Sequence, residues 1–286
     1  MVEQITALIP CKDERLNIRP CIESVREVAD EILIADSGST DGTLEIVRAI
    51  GGCRIIEREY VHSGDFKNWA IPQATHPWVL IVDADERVGP RLVQEIQHVL
   101  RHGPRHDGYW IYRENYFLGH RIHFSGWRTD KVLRLFRRDR GRYVGNNDHA
   151  EIVIQPGSVG RLKSRLQHFT YWSYDQYLRK SSRYSTFQAQ LWHGAGRRPS
   201  AARLLLTGPL RFLHTYVIRL GFLDGLAGFQ VCALTAYTSF LKQARLWELC
   251  CGRKQPDPEA GQTAGTPAAM AATPTAARAL SEMASS

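Results

Sequence analysis

Short apolar runs alternate with amphipathic stretches over the first hundred residues. Four apolar runs bounded by turn residues predict buried strands, at 4–9, 31–35, 53–56 and 78–82. The stretches between and after them repeat apolar residues at helical spacing, which predicts helices over 16–28, 41–49, 66–74 and 90–100. Strands and helices that alternate at this spacing predict an α/β fold with a mostly parallel sheet flanked by helices.

The pattern changes after residue 107. Three strands follow without helices between them, at 108–116, 131–136 and 159–166, and a helix is predicted over 174–191. From 201 to 249 the chain is strongly apolar and helical in pattern, and residues 225–241 carry no charge. Those 17 residues only reach the lower limit for a spanning helix. Their Gly, Gln, Cys and Thr favour a helix that lies in the membrane interface or packs in a hairpin.

These changes divide the chain into three predicted parts. Residues 1–170 form the α/β domain, and residues 171–250 form a helical, membrane-associating region. Residues 251–286 are rich in Ala, Pro, Thr and Gly, which predicts a disordered tail.

The charge balance limits the classes of binding partner that the chain is expected to have. The chain has 37 Lys and Arg against 29 Asp and Glu, which suits nucleic acid, an anionic membrane or a phosphorylated substrate. Several arginines lie among the apolar stretches near the C-terminal end, at Arg197, Arg198, Arg203, Arg211 and Arg219. This placement favours peripheral contact with an anionic membrane over nucleic acid. Residues 1–10 lack the pattern of a secretory signal, so we expect the cytoplasmic face of the inner membrane.

Two acidic clusters follow predicted strands, one at 36–43 and one at Asp83-Ala84-Asp85-Glu86. In open α/β sheets ligands bind beyond the carboxyl ends of the strands, so both clusters are expected to face one crevice. Carboxylate oxygens there suit Mg²⁺ or Mn²⁺ carrying a substrate diphosphate. A lone Asp-x-Asp arises easily by chance, and residues 36–39 could instead form a turn before a helix capped by Ser39 or Thr40. The pairing of the two clusters favours the metal site.

The motifs match a known family. They read Ile9-Pro10-Cys11-Lys12-Asp13-Glu14, Asp36-Ser37-Gly38-Ser39-Thr40-Asp41-Gly42-Thr43, Lys67-Asn68-Trp69-Ala70 and Asp83-Ala84-Asp85-Glu86. With them the chain resembles family 2 glycosyltransferases, which have the GT-A fold. A narrower likeness to bacterial lipopolysaccharide-core β-glucosyltransferases is carried by Ser125-Gly126-Trp127, Arg134-Leu135-Phe136-Arg137-Arg138, His149 and Gly221-Phe222-Leu223-Asp224-Gly225.

The resemblance implies roles for residues at the nucleotide end of the crevice. Pro10 and Glu14 would line it, and Asp36 would accept a hydrogen bond from the base, usually uracil. Lys67 would lie near the ribose or the phosphates. Family members usually have Asn before the Glu at position 14, whereas this chain has Asp13. The change removes an amide donor and puts that contact in doubt.

The resemblance also implies a metal site. Asp85 would coordinate the divalent cation, and Asp83 would touch the ribose or help to hold the metal. Trp127 could stack on the apolar face of a sugar, and Arg134 could hold a phosphate in its fork. Either residue could equally be packing or solvated surface.

The implied reaction is displacement at the anomeric carbon of a sugar nucleotide. The cation neutralises charge on the leaving diphosphate, and a carboxylate takes the proton of the acceptor hydroxyl. We expect this base within 147–151, where related proteins read His-Glu and this chain reads His149-Ala150-Glu151. Glu151 is favoured and Asp148 is the alternative. His149 could orient a phosphate or fill a core site.

The predicted function is an inverting glycosyltransferase that moves a hexose from a UDP-sugar to a lipid-linked or lipopolysaccharide-type glycan acceptor. Glucose is the candidate sugar. One alternative is a polyprenyl-phosphate sugar synthase, whose acceptor phosphate needs less help from a base. A second is a non-enzymatic protein that uses its basic surface to bind membrane or nucleic acid. UDP binding that depends on Mn²⁺ would separate the enzymes from the scaffold.

Overall fold

Strands and helices alternate along the chain in the computed structural model, which describes residues 3–145 and 150–252. The strands in these ranges are β1 (Ile5–Cys11), β2 (Glu31–Asp36), β3 (Arg54–Glu57), β4 (Trp78–Ile81), β5 (Glu86–Arg87), β6 (Gly108–Phe117), β7 (His120–Arg121), β8 (Lys131–Arg137), β9 (Gly141–Val144), β10 (Glu151–Ile154) and β11 (Val159–Tyr171). The α-helices are α1 (Ile18–Val25), α2 (Thr43–Ile50), α3 (Ser63–Ala70), α4 (Pro90–Arg101), α5 (Tyr174–Gly194), α6 (Ala201–Leu213) and α7 (Gly225–Cys251).

One large sheet carries the fold, with its main strands in the order β3-β2-β1-β4-β8-β6-β11-β5. The half formed by β3, β2, β1 and β4 is parallel, as predicted. Beyond β4 the sheet is mixed, because β8 runs antiparallel to β4 and β6 while β6 and β11 are parallel. The predicted α/β fold with helices beside a sheet is confirmed, and its parallel part is the half that carries both acidic clusters.

Two apolar layers cover the two faces of this sheet. On one face Ile5, Ala7 and Ile9 of β1 pack with α1, α2 and α4. On the other face Leu8 packs with α3 and with the small β9–β10 hairpin. Successive strand residues point to opposite faces, so a strand with both faces covered reads as an unbroken apolar run.

Two helix starts differ from the prediction. Helix α2 begins at Thr43 after Gly42, which has φ 93°, and neither Ser39 nor Thr40 caps it. Helix α3 begins at Ser63, three residues earlier than the predicted start, because the His62 ring accepts a hydrogen bond from the Asp65 amide at 3.2 Å. A histidine cap is not among the usual start signals, so the pattern placed this start too late.

Three helices follow the sheet. Polar contacts join α5 to α7: the Tyr177 hydroxyl donates to the Leu234 carbonyl at 2.7 Å, and Arg245 donates to Ser182 at 2.8 Å. No single helix in the described ranges is long and apolar enough to cross a membrane. Ala201–Ile218 and Gly221–Cys251 pass that test together by length and composition, with a bend of 74° between them. The predicted domain limits stay predictions, and the tail from residue 253 lies outside the described part.

Candidate active site

The loops that follow β1 and β2 are tied to each other at the carboxyl edge of the sheet. The Asp13 carboxylate accepts from the Thr40 amide at 2.8 Å, and the Glu14 amide donates to the Thr43 hydroxyl at 2.9 Å. Asp13 has φ 53°, a left-handed conformation that Asp and Asn tolerate well. Its bond to Thr40 uses a side-chain oxygen that Asn also has. This contact therefore needs no amide donor at position 13.

Asp36 is fully buried inside its own turn. One oxygen accepts from the Gly38 and Ser39 amides at 2.7 and 2.8 Å. The other accepts from the Ser39 hydroxyl at 2.5 Å and the Cys11 thiol at 3.4 Å. A carboxylate has about four acceptor positions, and the turn together with the Cys11 thiol of β1 uses all of them. Asp36 therefore shapes the loop, and its contact with a base stays a prediction.

Asp83 lies between two cations. Lys67 Nζ is 3.0 Å from one of its oxygens, and Arg134 donates to the other. Arg134 also contacts Glu86 Oε1 at 3.0 Å, and Glu86 has no exposed surface. Burial acts to raise the pKa of Asp83, but Arg134 and Lys67 outweigh it and hold that pKa well below its usual value. The structure thus supplies an ionised carboxylate in a fixed orientation.

Asp85 faces a different pair of groups. Its Oδ2 is 3.6 Å from His168 Nε2 and 3.7 Å from Lys180 Nζ. Burial acts to raise the pKa of Asp85, but His168 and Lys180 outweigh it and lower that pKa. The Phe169 amide donates to the Asp85 carbonyl at 2.8 Å, where β11 pairs with β5. This pairing brings His168 to the second acidic cluster.

The hydrogen bonds of His168 define which ring nitrogen faces Asp85. The Asn115 amide nitrogen donates to Asp130 Oδ2 at 3.1 Å and to the Trp127 carbonyl at 3.3 Å. The Asn115 oxygen is then the acceptor for His168 Nδ1–H, at 2.6 Å. The Thr170 hydroxyl also lies 3.2 Å from Nδ1. With Nδ1 protonated and no cation present, a doubly protonated ring donates from Nε2 to Asp85, and a bound cation would take the place of that Nε2 proton. A fixed Nδ1–H is the usual support of a histidine that binds a metal through Nε2.

Asp85 and His168 together fit a divalent cation that is shared with a substrate. In the described ranges no group of three or more His, Cys, Asp or Glu could hold a metal. A Mg²⁺-type ion needs few protein ligands when phosphates and waters complete its coordination. An ionised carboxylate and a preset imidazole are a suitable pair of donors for this arrangement.

Asp83 and Asp85 face a cavity of about 720 Å³. This volume lies within the usual size range for a ligand site. Five residues predicted from the sequence line it: Pro10, Glu14, Lys67, Asp83 and Asp85. Three further cations do so as well: Lys12, Lys180 and Arg183. Burial raises the pKa of Glu14, whose side chain accepts from Asn17. The four cations suit an anionic ligand such as a diphosphate.

Two predicted residues lie elsewhere. Trp127 lines a separate cavity of about 450 Å³, together with Asp130 and His168. Arg134 is only 5% exposed and lies beside Asp83, where its guanidinium holds two carboxylates. Trp127 therefore stays a candidate for sugar stacking. In Arg134 a single nitrogen, Nη2, contacts both carboxylates, and a phosphate contact of this residue stays a prediction.

Of the predicted base segment, the structure describes Ala150 and Glu151. Asp148 and His149 lie outside the described residues. Glu151 is exposed at the start of β10 and does not line the cavity. Its neighbour Ala150 approaches α3 so closely that a Cβ at Gly64 would lie 2.6 Å from the Ala150 Cβ. Ser63, next to Gly64, lines the cavity, so this segment borders it.

The sequence pattern missed His168, Lys180 and Arg183. His168 sits in a long strand far along the chain, and only the two-residue pairing of β5 with β11 brings it to Asp85. Lys180 and Arg183 lie on α5, where their one-turn spacing could have indicated a basic helix face.

A sheet with ionised carboxylates and cations at its carboxyl edge is typical of α/β enzymes that bind phosphorylated nucleotides. Residues 6–193 match the family described as glycosyl transferase family 2, and the chain belongs to this family. The resemblance drawn from the motifs is confirmed, and the α/β architecture is the GT-A fold that it implied.

Several proteins resemble most of the chain. The lipopolysaccharide core biosynthesis glycosyltransferase LpsC of Rhizobium meliloti (strain 1021) is 31% identical over 249 residues, which cover 85% of this chain and 92% of LpsC. An uncharacterised glycosyltransferase of Rickettsia bellii (strain RML369-C) is 26% identical, covering 87% and 88%. Among solved structures, the mannosyltransferase PcManGT from Pyrobaculum calidifontis in complex with GDP-Man and Mn²⁺ has a TM-score of 0.47 at 16% identity, covering 83% of this chain and 74% of that protein.

Proposed function

We propose that this glycosyltransferase is inverting and moves a hexose, with glucose as the first candidate, from a UDP-sugar to a lipid-linked or lipopolysaccharide-type glycan acceptor. The observation that carries the proposal is that Lys67, Asp83 and Asp85 line one cavity, with Arg134 behind Asp83 and His168 Nε2 3.6 Å from Asp85. The name of LpsC supports an acceptor of the lipopolysaccharide class. We place the reaction at the cytoplasmic face of the inner membrane.

The leaving group in this reaction is a nucleoside diphosphate. A divalent cation held by Asp85 and His168 would neutralise charge on its bridging oxygen. Lys67 and Lys180 line the same cavity and can each contact a phosphate oxygen without moving far from their carboxylate partners. Asp83 is held ionised by its two cations and can accept from a ribose or sugar hydroxyl.

The acceptor hydroxyl must lose its proton as it attacks, and a general base contributes about 10²–10⁴-fold to such a step. Glu151 is our first candidate because its segment borders the cavity beside Ser63. Asp148 is the second candidate, and His149 is assigned to orienting a phosphate. Glu151→Gln should therefore lower kcat by about 10²-fold or more while UDP binding is unchanged. A rate close to the wild type would favour Asp148, or an acceptor phosphate of the polyprenyl class.

The metal assignment is tested by Asp85→Asn. We expect this variant to keep its fold and to lose both sugar transfer and Mn²⁺-dependent binding of UDP, measured by titration calorimetry. Asp139→Asn is the matched control, because Asp139 is 62% exposed and lies in the turn between β8 and β9. Transfer by Asp85→Asn at the wild-type rate with Mg²⁺ or Mn²⁺ present would refute the assignment. A full chain that binds no uridine nucleotide with Mn²⁺ would refute the donor.

A further inference from the structure

A solvent-exposed apolar surface lies where α6 meets α7. Of the 25 large hydrophobic residues that are exposed in the described ranges, eleven fall between residues 205 and 229. Six of them form what we term the apolar tip: Val217, Ile218, Leu220, Phe222, Leu223 and Leu226. Ile218 is 69% exposed and Leu226 is 80% exposed. Soluble monomers rarely leave so many large apolar side chains together in water, so this surface is expected to have a partner.

The backbone is built to form this tip. The chain leaves α6 through a turn of π-helix at His214–Ile218 and then bends by 74°. Leu220 has φ 58° and Gly225 has φ 62°, so both sides of the bend adopt the left-handed conformation. A leucine in that conformation is strained, and its side chain is nevertheless 42% exposed. The bend therefore presents apolar side chains outward and does not bury them.

Charge around the tip suits an anionic surface. Arg203, Arg211 and Arg219 are exposed, and no acidic side chain in residues 3–145 or 150–252 forms an ion pair with them. The nearest carboxylate in the chain, Asp224, is occupied by hydrogen bonds from the amides of His123 and Phe124, at 3.0 and 2.8 Å. Apolar side chains flanked by arginines that form no ion pair are typical of segments that lie in an anionic membrane interface.

We propose that the apolar tip and its three arginines seat the protein shallowly in an anionic bilayer, without crossing it. Charge complementarity favours a bilayer over a second copy of the chain, since a second copy would bring the same arginines together. The contacts of α7 argue against a crossing. Its Cys232 thiol donates to the Ser125 hydroxyl at 3.5 Å in the sheet domain, and Thr238 is hydrogen-bonded to Tyr177 of α5. These contacts hold the hairpin beside the catalytic domain.

The same contacts connect the tip to the catalytic site. Asp224 accepts from the two amides that precede Ser125, and the Ser125 amide donates to the Arg219 carbonyl at 3.0 Å. The loop continues to Trp127, which lines the 450 Å³ cavity beside His168. If the proposed function holds, a lipid-linked acceptor in the bilayer lies next to the loop that borders this cavity. The proposed membrane contact of the apolar tip does not depend on the identity of the sugar.

Vesicle flotation of the full chain tests whether the apolar tip binds an anionic membrane. We expect binding to vesicles of equimolar phosphatidylcholine and phosphatidylglycerol, and much weaker binding to phosphatidylcholine alone. Leu223→Asp with Leu226→Asp should lower the bound fraction about tenfold or more. Arg211→Gln with Arg219→Gln should weaken binding about fivefold for each arginine, on the anionic vesicles alone. Leu16→Asp is the matched control, because Leu16 is 77% exposed in the loop after β1 and should bind as the wild type.

Four outcomes would overturn the proposed membrane contact. The first three are no flotation with anionic vesicles, equal losses of binding in the tip variant and in Leu16→Asp, and resistance to alkaline carbonate extraction, which would indicate a spanning segment. A dimer in sedimentation that the tip variant dissociates, without vesicle binding, would assign the surface to a second copy and also overturn the proposal. All variants change exposed side chains, and their thermal unfolding checks the fold. Titration of UDP in the same variants separates a failed seat from a failed donor assignment.

Discussion

Replacing Arg134 by methionine should destabilise the protein strongly. The Arg134 side chain is 6% exposed and contacts both Asp83 and the fully buried Glu86. Methionine fills similar space but leaves two carboxylates without their shared cation. Removing one partner of a buried ion pair typically costs about 3–5 kcal/mol of unfolding free energy.

The lower end of that range applies here, because each carboxylate keeps a second cation. Lys67 Nζ remains 3.0 Å from Asp83, and an Arg113 nitrogen remains 3.7 Å from Glu86. We therefore expect a loss of about 3 kcal/mol. In a protein of this size each kcal/mol lowers Tm by about 2–4 °C, so the expected shift is about 6–12 °C.

Thermal unfolding followed by circular dichroism measures this shift. Arg137→Met is the matched control on the same strand, because its side chain is 37% exposed and its contact with Asp139 is 3.6 Å long. Exposed pairs of this kind contribute about 0–1 kcal/mol. The double variant Glu86→Gln with Arg134→Met should lose less unfolding free energy than the sum of the two single variants. The reason is that glutamine removes the buried negative charge that Arg134→Met leaves without its main partner. The reasoning is refuted if Arg134→Met lowers Tm no more than Arg137→Met does.

Three further predictions concern the metal, the acceptor loop and acid stability. His168→Ala should weaken Mn²⁺-dependent binding of UDP by more than about tenfold in calorimetry, without changing metal-free binding; equal affinities would remove His168 from the metal site. Asp224→Asn should raise KM for the acceptor more than KM for the donor, because it loosens the loop that carries Trp127; equal changes in both constants would contradict this role. Burial acts to raise the pKa of Glu31, but hydrogen bonds from Thr6, Thr75 and Arg54 lower that pKa from 4.5 to about 2. The stabilisation that ionised Glu31 contributes is therefore present above pH 4.5 and lost as the pH falls towards 2. Glu31→Gln should lower Tm at neutral pH, and the difference in Tm from the wild type should shrink between pH 4.5 and 2. A difference in Tm that stays constant over this range would contradict the assignment.

The local pattern of apolar and polar residues was sufficient to predict the parallel half of the sheet. The apolar runs at β1, β2 and β4 are buried on both faces, so each reads as a strand without help from the rest of the chain. The acidic clusters follow directly from where those strands end. Asp83 and Asp85 were predicted from these strand ends, and Pro10, Glu14 and Lys67 from the family resemblance; all five line one cavity.

The mixed half of the sheet was harder to predict. Strand β5 has two residues and β9 has four, and so few positions show no period. The partner of β5 is β11, which lies far along the chain, whereas β9 pairs with its neighbour β10 in a separate two-stranded sheet. Such strands exist because of their pairing, and no local preference in the sequence indicates them.

The sequence by itself determined the alternating fold, the family, and the edge of the sheet where the carboxylates meet, because periodicity and strand ends are local properties of a chain. Only the tertiary structure decided what each carboxylate faces. It placed His168 opposite Asp85, buried Arg134 beside Asp83, and brought the Cys11 thiol of β1 to Asp36. These contacts depend on distances between segments that are remote in sequence, and the pattern of apolar and polar residues contains no information on such distances.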